Sequence, residues 1–172
     1  KKTNDFVTSI EESHKKYLAG EHGRITLVVF DTVDRAVDTY NALVKNGHTE
    51  GIELVHSRFR PAERESWRER FLSRETCKFD VDRIIVATQV VEAGVDISAT
   101  CLVTELAPWP SLVQRFGRCA RYGGNGTVIV VDRGHDDKSC SPYTTEELEV
   151  AWNAIQSLKD VSVKAIEEFE YG

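Results

Sequence analysis

Methionine is absent from this 172-residue chain, and cysteine, proline and long apolar runs are all sparse. The chain starts at Lys1 and contains no methionine anywhere, so we expect a piece of a longer polypeptide. Cys77, Cys101, Cys119 and Cys140 lie far apart without a Cys-x-x-Cys pair, which argues against a zinc knuckle or a disulfide framework and points to reduced thiols. No stretch approaches the roughly 20 apolar residues that span a bilayer, and no signal-peptide pattern opens the chain, so we expect a cytoplasmic protein without a membrane partner. A Gly-x-x-x-x-Gly-Lys-[Ser/Thr] loop and an Asp-Glu pair are missing too, so this chain cannot grip a triphosphate and its metal in the usual way, and no metal ligands are expected in it. Positive charge is also short, with 22 basic against 28 acidic residues and a net charge of -6. That balance disfavours non-specific coating of nucleic acid, so any strand-binding surface must be local.

What is present is enough for one core. The 41% hydrophobic fraction fits a single domain over 1–172, with flanking helices in 1–24 and 144–172 packed on it. Ile25 to Phe30, Ile52 to Val55, Ile84 to Ala87, Cys101 to Leu106 and Thr127 to Val131 are short and β-branched, as buried parallel strands are. Helical stretches alternate with most of them. Asp34 to Val44 spaces Ala36, Val37, Tyr40 and Val44 on one face, and Pro61 to Leu72 opens with proline and carries Trp67 and Phe71 four apart. Thr144 and Glu147 have capping-box spacing ahead of Leu148, Ala151, Trp152, Ile155 and Leu158, and Phe6, Ile10, Tyr17 and Leu18 suggest an amino-terminal helix. The pattern predicts an α/β fold, a parallel β-sheet flanked by helices on both faces, with the site in loops at the carboxyl ends of the strands.

The densest chemistry is in Gln114-Arg115-Phe116-Gly117-Arg118-Cys119-Ala120-Arg121. In a helix Gln114, Arg118 and Arg121 would share one face, suited to phosphate oxygens; a solvated arginine stripe is the competing reading. Thr88 stands at a strand end, where a hydroxyl holds a backbone phosphate or caps a turn. Gly94 permits close approach of a ligand, and Asp96 can accept from a ribose hydroxyl. His56, Ser57, Arg58, Arg60 and Arg64 concentrate positive charge after the second strand, although Arg64, Glu65, Arg68, Glu69 and Arg70 read equally as a salt-bridged solvent face. Asp31 and Asp34 have the wrong spacing for a phosphatase nucleophile loop and read as turn and cap; His135-Asp136 reads as surface loop. Gly123-Gly124-Asn125-Gly126 reads as a flexible turn before the last strand.

Taken together, Ala87-Thr88-Gln89-Val90-Val91-Glu92-Ala93-Gly94-Val95-Asp96 and Ser111 through Gly123 resemble motifs V and VI of superfamily 2 helicases, and more specifically the helicase-nuclease of type I CRISPR systems. Phe30-Asp31-Thr32-Val33-Asp34-Arg35-Ala36 resembles that family's motif IV, with aspartate where asparagine is commoner, and His56-Ser57-Arg58-Phe59 resembles the segment after the next strand. The likeness covers roughly residues 25–133. It implies a RecA-like (P-loop NTPase-like) helicase C-terminal domain, the second motor domain of an ATP-dependent single-stranded DNA helicase. On that reading Arg118 and Arg121 are arginine fingers, Gln114 places the attacking water or the phosphate, and Gly94 and Asp96 contact the nucleotide. Thr88, Gln89, Thr32, His56, Ser57 and Arg58 face the DNA. ATP and Mg2+ would sit at the interface with a first RecA-like domain, and the partners would be an HD nuclease domain and an RNA-guided recruiting complex. Another superfamily 2 repair or RNA helicase, or a non-catalytic binding module on the same fold, are the alternatives.

Overall fold

A computed structural model describes residues 2–17, 19–134 and 136–172, without the side chains of 2–4 and 137. Five strands, β1 (Arg24–Val29), β2 (Ile52–Val55), β3 (Asp82–Ala87), β4 (Cys101–Glu105) and β5 (Thr127–Val131), form one wholly parallel sheet in the order β2-β3-β1-β4-β5. The apolar runs fall on these strands to within two residues at each end. Side chains alternate across the sheet. Leu27, Val29, Ile85 and Leu102 enter one core layer, and Val28, Ile84, Val86 and Val103 enter the other.

Helices α1 (Lys2–Lys16) and α2 (Val33–Lys45) cover the second layer with Val7, Ile10, Ala36 and Leu43. The first layer is covered by α3 (Pro61–Arg70), α4 (Trp109–Phe116), α6 (Thr145–Ser157) and α7 (Val163–Tyr171), with a short α5 (Asp137–Cys140) before α6. Trp67 and Phe71 are both buried, as their spacing predicts. The capping box forms at α6, where Thr144 Oγ1 accepts from Glu147 N at 3.2 Å and Thr144 N donates to Glu147 Oε2 at 2.9 Å. Thr32 caps α2 by accepting from Arg35 N, and Leu158 stands just past the end of α6. Leu18 and His135 lie outside the described residues; Asp136 caps α5 through the backbone N–H groups of Lys138 and Ser139. All four cysteines are unpaired, and among the described residues no helix is long and apolar enough to cross a membrane.

A polar clasp fastens α1 to the amino ends of the strands. His14 Nε2 donates to Asp82 Oδ1 at 2.7 Å, its Nδ1 lies 2.8 Å from Thr26 Oγ1, and Arg24 also binds Asp82. Burial is the largest influence on His14 and lowers its pKa below the ordinary 6.5, so the folded imidazole stays neutral where the unfolded one takes a proton. That difference removes stability as the pH drops below 6.5. Asp82 is held low by Arg24 and then His14, so its contribution is present above 3.8 and is lost as the pH falls through its lowered folded value. Thermal unfolding should therefore show stability declining from about pH 7 to about pH 5, and His14→Gln should flatten that limb. His56, whose pKa burial also lowers, leaves a residual slope of the same sign.

Candidate nucleotide and nucleic-acid faces

Adjacent strands bring three loops side by side at the carboxyl end of the sheet. Phe30 N donates to Ala87 O at 2.8 Å and Thr88 N to Val55 O at 3.1 Å, which sets the post-β1, post-β2 and post-β3 segments next to one another. Here Thr32, His56, Ser57, Arg58, Thr88 and Gln89 gather. Thr88 is buried and makes no side-chain cap bond to the short 3₁₀ turn Gln89–Val91 that follows it. Gln89 Nε2 donates to Asp31 O at 2.7 Å and to the Tyr143 hydroxyl at 3.2 Å. His56 stacks on Phe59 with centroids 4.3 Å apart and accepts from Arg58 N, while Arg58 reaches Asp34 at 3.1 Å. Burial, then Arg58, lowers the His56 pKa, keeping this face free of an imidazolium. Arg64 donates to the carbonyls of Ser57 and Phe59, which ties it to the loop, and it is exposed together with Arg58 and Arg60.

The arginine segment lies elsewhere. Its expected helix stops at Phe116, with Gly117 as cap, so Arg118 and Arg121 do not extend a helical face from Gln114. A β-bridge ends the helix: Ala99 N donates to Arg118 O at 2.7 Å, and Ala120 N donates to Ala99 O at 2.9 Å, with Ala120 in the left-handed region at φ 49°. Two backbone bonds to the residues before β4 outweigh one more helical turn. Thr100 N in turn donates to Ile25 O, so this corner sits at the amino ends of β1 and β4. The expectation that every motif residue lies at the strand carboxyl ends therefore fails for Asp96, Arg118 and Arg121. The reason is topological: residues 88–100 and 117–126 run back across the sheet face to start the next strand.

Gln114, Asp96, Arg118 and Arg121 nonetheless line one open groove of about 910 Å³, walled on its other side by Ile166, Glu167 and Glu170 of α7. Gln114 is exposed on α4. Arg118 is buried, its Nε donating to Val91 O at 3.0 Å and its Nη2 to Glu92 O at 2.7 Å. Burial, with Arg121 beside it, lowers the Arg118 pKa from its ordinary value. Arg121 Nε pairs with Asp96 Oδ1 at 3.0 Å, half exposed. Gly94 does not line the groove; its φ of 72° and the approach of Arg68 Nη2, 3.0 Å from where a Cβ would stand, explain the glycine instead.

The link between the two faces is Arg115, a residue within the arginine segment to which the sequence assigns no role. Its side chain is fully buried. Nη2 pairs with Asp31 Oδ1 at 2.9 Å, Nε with Glu92 Oε1 at 3.0 Å, and Nη1 donates to Thr104 Oγ1 at 2.9 Å and Glu105 O at 3.3 Å. Glu105, itself buried, accepts from Asp31 N, Arg35 and Arg133. Burial, opposed by Arg115, pushes the Asp31 carboxyl up to about 7. Asp31 does not cap α2; Thr32 does. Among the described residues no group of His, Cys, Asp and Glu could hold a metal ion.

A family model described as CRISPR-associated nuclease/helicase Cas3, C-terminal, matches residues 22–124. The chain belongs to that Cas3 family. It is 31% identical over 121 residues to the CRISPR-associated endonuclease/helicase Cas3 of Escherichia coli (strain K12), covering 69% of this chain and 14% of that protein. Against the CRISPR-associated helicase Cas3 of Thermoproteus tenax it is 32% identical over 124 residues, covering 72% of this chain and 20% of that one. The crystal structure of T. fusca Cas3-ATP superposes with a TM-score of 0.76 at 20% identity, over 99% of this chain and 22% of that one. The C-terminal domain of the DEAD-box protein Dbp5 gives 0.61 at 19% identity, over 91% of this chain and 80% of that one. The fold is accordingly that of a RecA-like helicase C-terminal domain, and the chain spans a fifth or less of the length of these two Cas3 relatives.

Arg115→Met should remove the shared cation and leave Asp31 and Glu92 without it, costing about 3–5 kcal/mol. Urea unfolding measures this, and adding Asp31→Asn to Arg115→Met should recover part of the loss, because the two residues are in contact.

Proposed function

We propose that this Cas3-family chain is the second motor domain of an ATP-dependent single-stranded DNA helicase or translocase acting in CRISPR interference. The observation that carries the reading is the groove in which Arg118, Arg121, Gln114 and Asp96 converge at one corner of the sheet. Two guanidinium groups beside a carboxylate suit the two ends of a ribose triphosphate: phosphate oxygens at the arginines and a ribose hydroxyl at Asp96. Support also comes from relatives solved as Cas3-ATP, Cas3-AMPPNP and Cas3-ADP.

The groove fits the phosphates of ATP but not its magnesium, since Asp96 is already paired with Arg121 and, among the described residues, Asp96, Glu167 and Glu170 form no group that could hold a metal ion. The first RecA-like domain of the parent chain would supply the phosphate loop and the metal ligands, and this domain would close over the bound nucleotide. Arg118 and Arg121 would then meet charge developing on the transferred phosphoryl group, with Gln114 near the attacking water. At the strand carboxyl ends, Thr88, Gln89, Thr32, His56, Ser57 and Arg58 would follow the phosphates of a single strand. An HD nuclease domain and an RNA-guided recruiting complex would be the further partners; one structural neighbour is a CRISPR RNA-guided surveillance complex, pre-nicking.

In the parent protein, Arg118→Ala and Arg121→Ala should each lower kcat for ATP by about 10³–10⁵ while single-stranded DNA binding persists. Arg58→Ala should instead weaken DNA binding and reduce its dependence on salt. A steady-state ATPase assay beside a DNA titration reads both. Unchanged hydrolysis in the arginine variants would point to a binding module on the same fold.

A further inference from the structure

Three guanidinium groups line the groove, and they are not equivalent. Arg118 is held by two carbonyls and Arg121 by Asp96. Arg74, in a short 3₁₀ turn (Arg74–Thr76) after α3, is exposed and has no acidic partner among the described residues. Its guanidinium stands over the Tyr122 ring instead, with Cζ 4.7 Å from the ring centroid.

Tyr122 is itself fixed. Its hydroxyl donates to Asp96 O at 2.7 Å and Oδ1 at 2.8 Å, its backbone N–H reaches Ser98 Oγ at 3.4 Å, and His22 meets the ring edge-on at 5.0 Å. Contacts therefore link Arg121, Asp96, Tyr122 and Arg74 in that order, and Arg118 lies near enough to Arg121 to feel its charge. In a nucleotide the triphosphate leaves the ribose through the carbon on C4′ and the base leaves from C1′, so the two extend from opposite ends of one face of the sugar, across the ring oxygen. With phosphates at Arg118 and Arg121 and the sugar at Asp96, the base falls on the Tyr122 side.

We propose that Arg74, seated over Tyr122, is the platform on which the base of the bound nucleotide stacks. The assignment rests on the motor reading above. A planar cation that stands over a ring, is exposed and lines the groove is suited to a second π-surface. Stacking of this kind is tolerant of base identity, so Arg74 grips purines alike and contributes to affinity rather than to the chemical step.

The test uses the full parent protein with Arg74→Ala and Arg74→Lys, measuring ATP and GTP hydrolysis, equilibrium binding of a fluorescent ATP, and inhibition by inorganic tripolyphosphate. Arg74→Ala should raise KM for ATP and GTP alike by roughly tenfold. It should leave kcat within about twofold. Arg74→Lys should fail to restore KM, since lysine keeps the charge and loses the plane, and tripolyphosphate, which has no base, should inhibit all three proteins equally. Unchanged KM, rescue by lysine, or tripolyphosphate inhibition weakened in step with ATP would overturn the platform. A parent protein that binds no fluorescent ATP even with Arg74 intact would overturn the motor reading and the platform together; normal binding by the variants would overturn the platform alone.

Discussion

One buried guanidinium holds the functional face of this domain together. Arg115 has no exposure to solvent, yet its donors reach Asp31 after β1, Glu92 after β3, and Thr104 and Glu105 at the end of β4. Backbone bonds join the segments leaving neighbouring strands only at their first residue, as from Phe30 N to Ala87 O and from Thr88 N to Val55 O, so beyond that point side chains must fix their spacing. A buried cation with carboxylates on either side does so, because moving any loop away strands a charge in a low-dielectric interior.

The two faces of the proposed motor are joined through the same residues. Glu92 binds Arg115 with its side chain and Arg118 with its carbonyl, so the segment after Thr88 and Gln89 is tied to the first arginine of the groove. The path from the strand carboxyl ends to the groove is short and polar, and it crosses the sheet along residues 88–100. A shift of the post-β3 segment would reach Arg118 through its own hydrogen bonds. This gives a physical route by which occupancy of one face would be felt at the other.

The five strands and the α6 cap were legible in the residues because they depend on local patterns: β-branched runs, turn residues and a Thr-x-x-Glu spacing. Arg115 was not, since its partners are 10 to 84 residues away and a charge flanked by helix formers reads as surface. The end of α4 was misread for a related reason. Gln114, Arg118 and Arg121 have helical spacing, but the bridge to Ala99 and the left-handed Ala120 decide the backbone, and neither is written in the local sequence. Tyr122 and Arg74 meet only once the turn after the arginines has folded back toward α3.

As half of a composite active site, the groove needs the first helicase domain for turnover. The direct measurement is DNA-stimulated ATP hydrolysis by this domain alone and joined to the first helicase domain of its parent. Turnover only in the joined form is the predicted result. Turnover by the isolated domain, or none in a folded joined protein with single-stranded DNA present, would contradict it.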